Sequence, residues 1–288
     1  MKLALGTAQF GLNYGIANSV GQVDFEKTQR ILQFAYESGI DTLDTASAYG
    51  NSEMVLGSAG VRQWNIITKI PALPAGEIDV EHWVLDQVES SMRRLGVDKL
   101  QGLLLHHPAD LLGEAGPSYV RAIHSLLDSG NVEAVGYSIY SPSILNELAP
   151  LFWPKIVQVP YNIFDQRIRT SGWLQKLSSA GTKIHARSIF LQGLLLMQEV
   201  ERPTHFHQWR GLLQRWSNQV DAHEMSATAL ALNFVASESL FDRIIVGVDS
   251  LEQLKQIIDV PSVNVGSQLA DLACDDVDLI EPFRWPKN

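Results

Sequence analysis

Disulfides are the first thing the chain lacks: Cys274 is the only cysteine in 288 residues, so no intrachain bridge can form. A chain without bridges suits a reducing compartment, and the cytoplasm is the expected location, with Cys274 as a structural thiol. No apolar run approaches the ~18 residues that a membrane span needs. The opening "MKLALGTAQFG" reaches glycine after three apolar residues, too few for the apolar region of a signal peptide. Basic charge is also short. Lys and Arg number 22 against 32 Asp and Glu, a formal net charge of −10. That balance argues against a nucleic-acid surface, which needs a basic stripe, but leaves room for a local basic pocket. No histidine or cysteine spacing suggests zinc; "HFHQW" at 205–209 is a weak signal, and no metal is expected. Low-complexity tracts, charge runs and composition breaks are absent too, so a single domain spanning 1–288, with a C-terminal tail at 261–288, is expected.

What is present is an alternation of short apolar runs with longer amphipathic stretches. Strands are expected at 3–6, 41–44, 66–69, 102–106, 134–138, 156–159, 183–186 and 244–247. Each is apolar and often β-branched, as strands buried on both faces should be. Helical periodicity fills 25–38, 81–95, 118–127 and 170–180, each with a glycine close behind. "SPSILNELAP" at 141–150 opens with a Ser-Pro start, and "DSLEQLKQII" places Asp249 or Ser250 as the cap of a last helix. An additional helix is expected within 203–223. Eight strands, each followed by a helix, imply a parallel sheet, and this length fits a closed (β/α)₈ TIM barrel. An open doubly wound sheet would put G-x-G-x-x-G after the first strand, and "LGTAQFG" is not that turn.

Active sites of such barrels lie at the C-terminal ends of the strands. Asp44 ends the second strand, Tyr49 follows in its loop, Lys69 ends the third and His106 ends the fourth. One polar residue at a strand end is ordinary; four at one rim are not. Their chemistry is compatible. A phenol has a reference pKa near ~10, and a neighbouring ammonium is expected to lower it. The ammonium needs a carboxylate to stay charged in a dry site, the task of Asp44. A neutral histidine can donate to a carbonyl oxygen and orient it. Together they would polarise a C=O group and protonate it. None of these side chains can supply hydride, so a cofactor is required. A Schiff base on Lys69 in a cofactor-free lyase or aldolase, and a sensor that keeps the cofactor site without turnover, are the competing readings.

The stretches "LALGTAQFG", "GIDTLDTASAYGNSE", "IITK", "LLLHHP", "VQVPYN", "ARSIFLQGLL" and "IIVGVDSLEQL" resemble, in order, the motifs of the aldo/keto reductase superfamily. The resemblance runs from residue 3 to about 260. It implies a barrel that binds a nicotinamide dinucleotide, usually NADP(H), and interconverts small-molecule aldehydes or ketones with alcohols. It implies a catalytic tetrad of Asp44, Tyr49, Lys69 and His106, with Tyr49 as general acid. It also implies Gly6 and Thr7 near the nicotinamide, and Ser138 and Gln158 on the carboxamide. Ser188, Leu191, Gln192 and Gly193 would wrap the pyrophosphate through backbone N–H groups. Gly247, Val248, Asp249 and Gln253 would hold the adenosine phosphate.

Three positions depart from that pattern. Ile139 stands where asparagine often follows the serine. Arg187 stands where an aromatic residue often stacks on the nicotinamide. Its guanidinium could stack, form a salt bridge at the rim, or draw in an anionic substrate. Asp249 and Gln253 leave no cation before Lys255 for a 2′-phosphate. NADP(H) is favoured on the resemblance. NAD(H) is the alternative if Asp249 accepts from a ribose 2′-hydroxyl rather than merely capping the last helix. Phe10, Tyr140 and Phe164 are candidates for the substrate mouth. The short segment after 260 suggests an open mouth suited to sugars or their derivatives.

Overall fold

The computed structural model describes residues 2–286. Eight parallel strands close into a barrel: β1 (Leu3–Gly6), β2 (Thr42–Asp44), β3 (Asn65–Ile70), β4 (Gly102–Leu105), β5 (Val135–Ser138), β6 (Ile156–Pro160), β7 (Lys183–Arg187) and β8 (Arg243–Gly247). Every strand lies within one residue of the run that predicts it. The reason is burial on both faces: β2, β4, β5 and β6 are buried at every position. Backbones approach closely where glycine permits it. A Cβ on Gly136 would sit 1.7 Å from the Ile156 carbonyl oxygen. Ile67, Leu104 and Ile156 fill the barrel interior as a small cluster, separate from the large core between strands and helices.

The register sets the rim. β1 closes on β8 through Leu3↔Ile244 to Gly6↔Gly247, and meets β2 at Gly6↔Asp44. Ser138 pairs with Gln158, and Pro160 with Arg187. Residues far apart in sequence therefore become neighbours at one end of the cylinder.

Helix Phe25–Glu37 starts where Asp24 accepts from the Lys27 N–H, and helix Val80–Leu95 where Asp79 accepts from the His82 N–H. The second ends at Gly96 in the left-handed region (φ 66°). It buries Val84 and Val88 on the barrel side, each stabilising by ~1.5–3 kcal/mol. The periodic stretch at 170–180 is two pieces, Arg167–Thr170 and Trp173–Ser179, broken at Gly172 (φ 77°). The extra helix between β7 and β8 is Arg210–Ala222. Two helices had no visible period. Ala227–Ala236 is buried continuously from Ala229 to Val235, so no polar face marks it. Ser52–Ala59 is short, and a Cβ at its Gly57 would lie 2.0 Å from the Arg94 carbonyl oxygen. The tail is not a loose extension: Leu269, Leu272, Leu279, Ile280 and Trp285 join the main core. None of the helices among the described residues is long and apolar enough to cross a membrane.

Candidate active site

β2 carries Asp44 to the rim, and the turn after it folds Tyr49 back over the barrel mouth. That turn is tied by Tyr49 N–H to Ala46 O at 3.0 Å and by Gly50 at φ 57°. Gly11 is the wall behind it: a Cβ there would lie 1.9 Å from the Tyr49 carbonyl oxygen. Lys69, the penultimate residue of β3, is fully buried, and Asp44 is 4% exposed. Lys69 Nζ donates to Asp44 Oδ1 at 2.9 Å, to Asp44 Oδ2 at 2.8 Å, to Thr45 O at 2.8 Å and to Tyr49 Oη at 3.3 Å. Gln158 Nε2 donates to Asp44 Oδ1 at 2.6 Å, and Ser138 Oγ donates to Gln158 Oε1 at 3.4 Å. His106 meets Tyr49 edge-on, with ring centroids 5.9 Å apart. Asp44, Tyr49, Lys69 and His106 are thus one cluster, extended through Gln158 to Ser138.

The electrostatics correct one expectation. The Tyr49 phenol is pushed well above its ordinary value, by burial first and by the Asp44 carboxylate second; the Arg187 cation opposes this. Lys69 does not dominate, because both oxygens of Asp44 lie on the same ammonium and leave little net charge for the phenol to feel. Tyr49 therefore holds its proton. Burial lowers Lys69, although the Asp44 carboxylate opposes that shift. His106 is pushed down to about 3, by burial and then by the Lys69 and Arg187 charges, so its imidazole is neutral. Lys69 does not line the cavity, and its ammonium is surrounded by acceptors, which disfavours Schiff-base chemistry.

Above this floor lies a cavity of about 580 Å³. Tyr49, His106, Asp44, Ser138 and Gln158 line its inner end, with Gly6 and Thr7 beside them. Ser188, Gln192 and Gly193 form one wall; Gly247, Asp249 and Gln253 line the outer end. Leu191 and Val248 do not reach it. Both are buried in the core, at 0% and 1% exposed. The Leu191 N–H donates to Ser188 O, and the Gly193 N–H to Phe190 O, so these two amides are already used. The wall has unusual backbone: Ser188 (φ 58°), Leu191 (φ 48°) and Gln192 (φ 52°) are non-glycine residues in the left-handed region. Such strain concentrates at functional sites.

Several lining residues escaped the sequence reading. The segment after β1 crosses the mouth: Ile16 N–H donates to Gln192 O at 3.1 Å, and Asn18 Nδ2 donates to Asp249 Oδ1 at 3.2 Å. Tyr14 Oη accepts from Gln192 Nε2 at 3.4 Å. Of the three aromatic mouth candidates, only Tyr140 lines the cavity. Phe10 and Phe164 are fully buried in the core.

Two further expectations change. Arg187 forms no salt bridge with any described residue. It donates to Ile139 O and Ser188 Oγ, both at 3.0 Å, and stacks on the Tyr140 ring with Cζ 4.4 Å from the centroid. Ile139, in place of asparagine, points into the core and offers only its carbonyl. Asp249 does not cap the last helix. Ser250 does, its Oγ accepting from the Gln253 N–H at 3.2 Å.

A nicotinamide dinucleotide suits this donor set. The inner end offers hydroxyl and amide groups at Ser138 and Gln158. Gly247 packs against Gln9, whose Nε2 a Cβ would meet at 2.6 Å, and both line the cavity. Among the described residues no group of histidine, cysteine and carboxylate side chains could hold a metal.

Comparison with known proteins agrees. A sequence model of the aldo/keto reductase family matches residues 2–269. The chain is 24% identical over 278 residues to the uncharacterized oxidoreductase YqkF of Bacillus subtilis strain 168, covering 89% of this chain and 90% of that protein. It is 22% identical over 294 residues to the L-glyceraldehyde 3-phosphate reductase of Escherichia coli strain K12, covering 85% and 82% respectively. Among solved structures, the holo form of aldo-keto reductase AKR11C1 from Bacillus halodurans matches with a TM-score of 0.75 and 19% identity. That match covers 94% of this chain and 90% of the other, and it bears on fold alone.

Proposed function

The chain belongs to the aldo/keto reductase family of NAD(P)H-dependent oxidoreductases, and on that premise we propose that it interconverts an aldehyde or ketone with its alcohol through Tyr49. The observation that carries the reading is the contact of Lys69 Nζ with Tyr49 Oη at 3.3 Å, while Asp44 holds the same nitrogen from below. When bound, the dinucleotide supplies hydride to the carbonyl carbon. The protein does the rest. Neutral His106 donates an N–H to the carbonyl oxygen and fixes its direction. Tyr49 passes its proton to that oxygen as negative charge develops there. The phenolate left behind accepts a hydrogen bond from Lys69 Nζ and is stabilised by the field of Arg187. Gln158 keeps Asp44 in place, so the ammonium cannot drift from the phenol. In the oxidative direction the same phenolate takes the alcohol proton back.

The substrate this reading favours is a hydroxylated, sugar-like carbonyl compound that carries a carboxylate or phosphate. Arg187 supports it. Its guanidinium lines the cavity with no carboxylate paired to it among the described residues, and its Nε has no partner. Two of its five N–H groups are bonded to Ile139 and Ser188, leaving donors for a planar anion. The Escherichia coli relative is named for a phosphorylated substrate of this type. The test is a dinucleotide-coupled screen in which anionic hydroxyaldehydes, neutral sugars and simple aldehydes compete. Higher kcat/KM for the anionic group is expected; equal values across the three would remove Arg187 from substrate recognition.

A further inference from the structure

Resting on the dinucleotide reading above, we infer that this chain selects NAD(H) over NADP(H), and that the Asp249 carboxylate makes the selection. A dinucleotide whose nicotinamide meets Tyr49 and His106 must lay its adenosine ribose at the outer end of the cavity. The side chains there are Asp249, Gln253, Gln256 and Asn18. None is a cation. Among the described residues the one Lys or Arg lining the cavity, Arg187, belongs to the inner end, where it stacks on Tyr140 and influences Tyr49 and His106. Of the two cations nearest to Asp249 in sequence, Lys255 places its Nζ 5.5 Å from the Phe34 ring and Arg243 pairs with Asp41; neither lines the cavity.

The helix-capping role that would explain Asp249 is already filled by Ser250. Asp249 is held for another purpose. Its N–H donates to Gln253 Oε1 at 2.7 Å, and its Oδ1 accepts from Asn18 Nδ2 at 3.2 Å. Asn18 is itself fixed, its Oδ1 accepting from the N–H groups of Val20 at 2.9 Å and Gly21 at 2.8 Å. The carboxylate is therefore aimed by Asn18 while Gln253 anchors the backbone beneath it, with Oδ2 left for a ligand. A ribose 2′-hydroxyl can donate to that oxygen in a charge-assisted hydrogen bond. A 2′-phosphate cannot donate when ionised. It would bring close to two negative charges against a half-buried carboxylate, where solvent screens poorly and no cation compensates.

The experiment is direct binding of NADH and NADPH to the full chain without substrate, followed by calorimetry or nucleotide fluorescence. NADH is expected to bind at least tenfold more tightly. Asp249→Asn keeps an oxygen for Asn18 but removes the charge, and is expected to shrink the preference severalfold, mainly by tightening NADPH. Asp249→Ser, which removes the Asn18 contact as well, should shrink it too. Equal or tighter binding of NADPH by the wild type would overturn the inference, as would an unchanged ratio in both variants; either leaves the oxidoreductase reading standing. Binding of neither nucleotide would overturn both.

Discussion

Lys69 Nζ stands 3.3 Å from Tyr49 Oη and within 2.9 Å of both carboxylate oxygens of Asp44. The three groups come from two adjacent strands and one turn. Isolated, each would be costly at this depth: an ammonium or carboxylate without a partner in a dry site loses several kcal/mol. Together they form a set whose parts cannot be removed independently.

A double-mutant cycle on that pair follows directly. Lys69→Met leaves the Asp44 carboxylate buried without its cation and is expected to cost ~3–5 kcal/mol. Asp44→Asn strands the ammonium and should cost a similar amount. The double variant should cost less than the sum of the two, with a coupling of ~1–3 kcal/mol in urea unfolding. Additive losses would mean the pair contributes nothing as a pair.

Packing against the tyrosine turn gives a second prediction. Gly11→Ala puts a methyl group 1.9 Å from the Tyr49 carbonyl oxygen, and the nearest atoms are backbone. The turn must shift. A stability loss of ~1–3 kcal/mol is expected from overpacking, with kcat falling more than KM rises, because the phenol is displaced from His106. Wild-type kcat in this variant would show that the turn's position is not critical.

Two histidines, one buried and one half-buried, set an acid limit. His185 is 6% exposed inside the barrel with no partner on Nδ1, and burial pushes it down to about 4; His106 is pushed down to about 3. Both lie below the unfolded value of ~6.5. Between these values the unfolded chain binds protons that the folded chain does not, so stability is full above about pH 6.5 and falls as pH drops toward 4. His185→Gln should flatten the pH dependence of Tm across that window. The reductive rate, in contrast, should show no limb near pH 6.5, because His106 stays neutral well below it. An unchanged Tm profile, or a rate limb at 6.5 that His106→Gln abolishes, would contradict these assignments.

Arg187 separates charge from shape. Arg187→Lys keeps the cation but loses the planar fork, and Arg187→Ala loses both. For an anionic carbonyl substrate KM should rise roughly tenfold or more in each, while kcat/KM for a neutral aldehyde changes much less, since a hydrogen bond to a charged group contributes ~1.5–3 kcal/mol. Equal losses for both substrates would point to a role in holding Tyr140 and the rim instead.

Much of this site was legible because both-face burial writes itself into sequence. Apolar runs such as "IITK" and "GLLLH" mark strands, and the barrel rule then turns their last residues into a ring. What escaped was whatever depends on three-dimensional crossing. Gln158 lines the cavity, and its amide also holds Asp44, 114 positions away, a tie no pattern showed. Asn18 meets Asp249 across 231 positions. Phe10 follows a strand end but turns into the core, and Ala227–Ala236 hides its helical period by being apolar all round. The direction of the Tyr49 shift also escaped, since it depends on how fully Asp44 neutralises Lys69.

Tyr49→Phe tests the central claim most directly, because it removes one oxygen and little else. Turnover of the best carbonyl substrate should fall by ~10²–10⁴ or more, the contribution of a positioned proton donor, while nucleotide binding stays within about twofold of wild type. Retained turnover at the wild-type rate would contradict the assignment of Tyr49 as the proton donor and the account built on it.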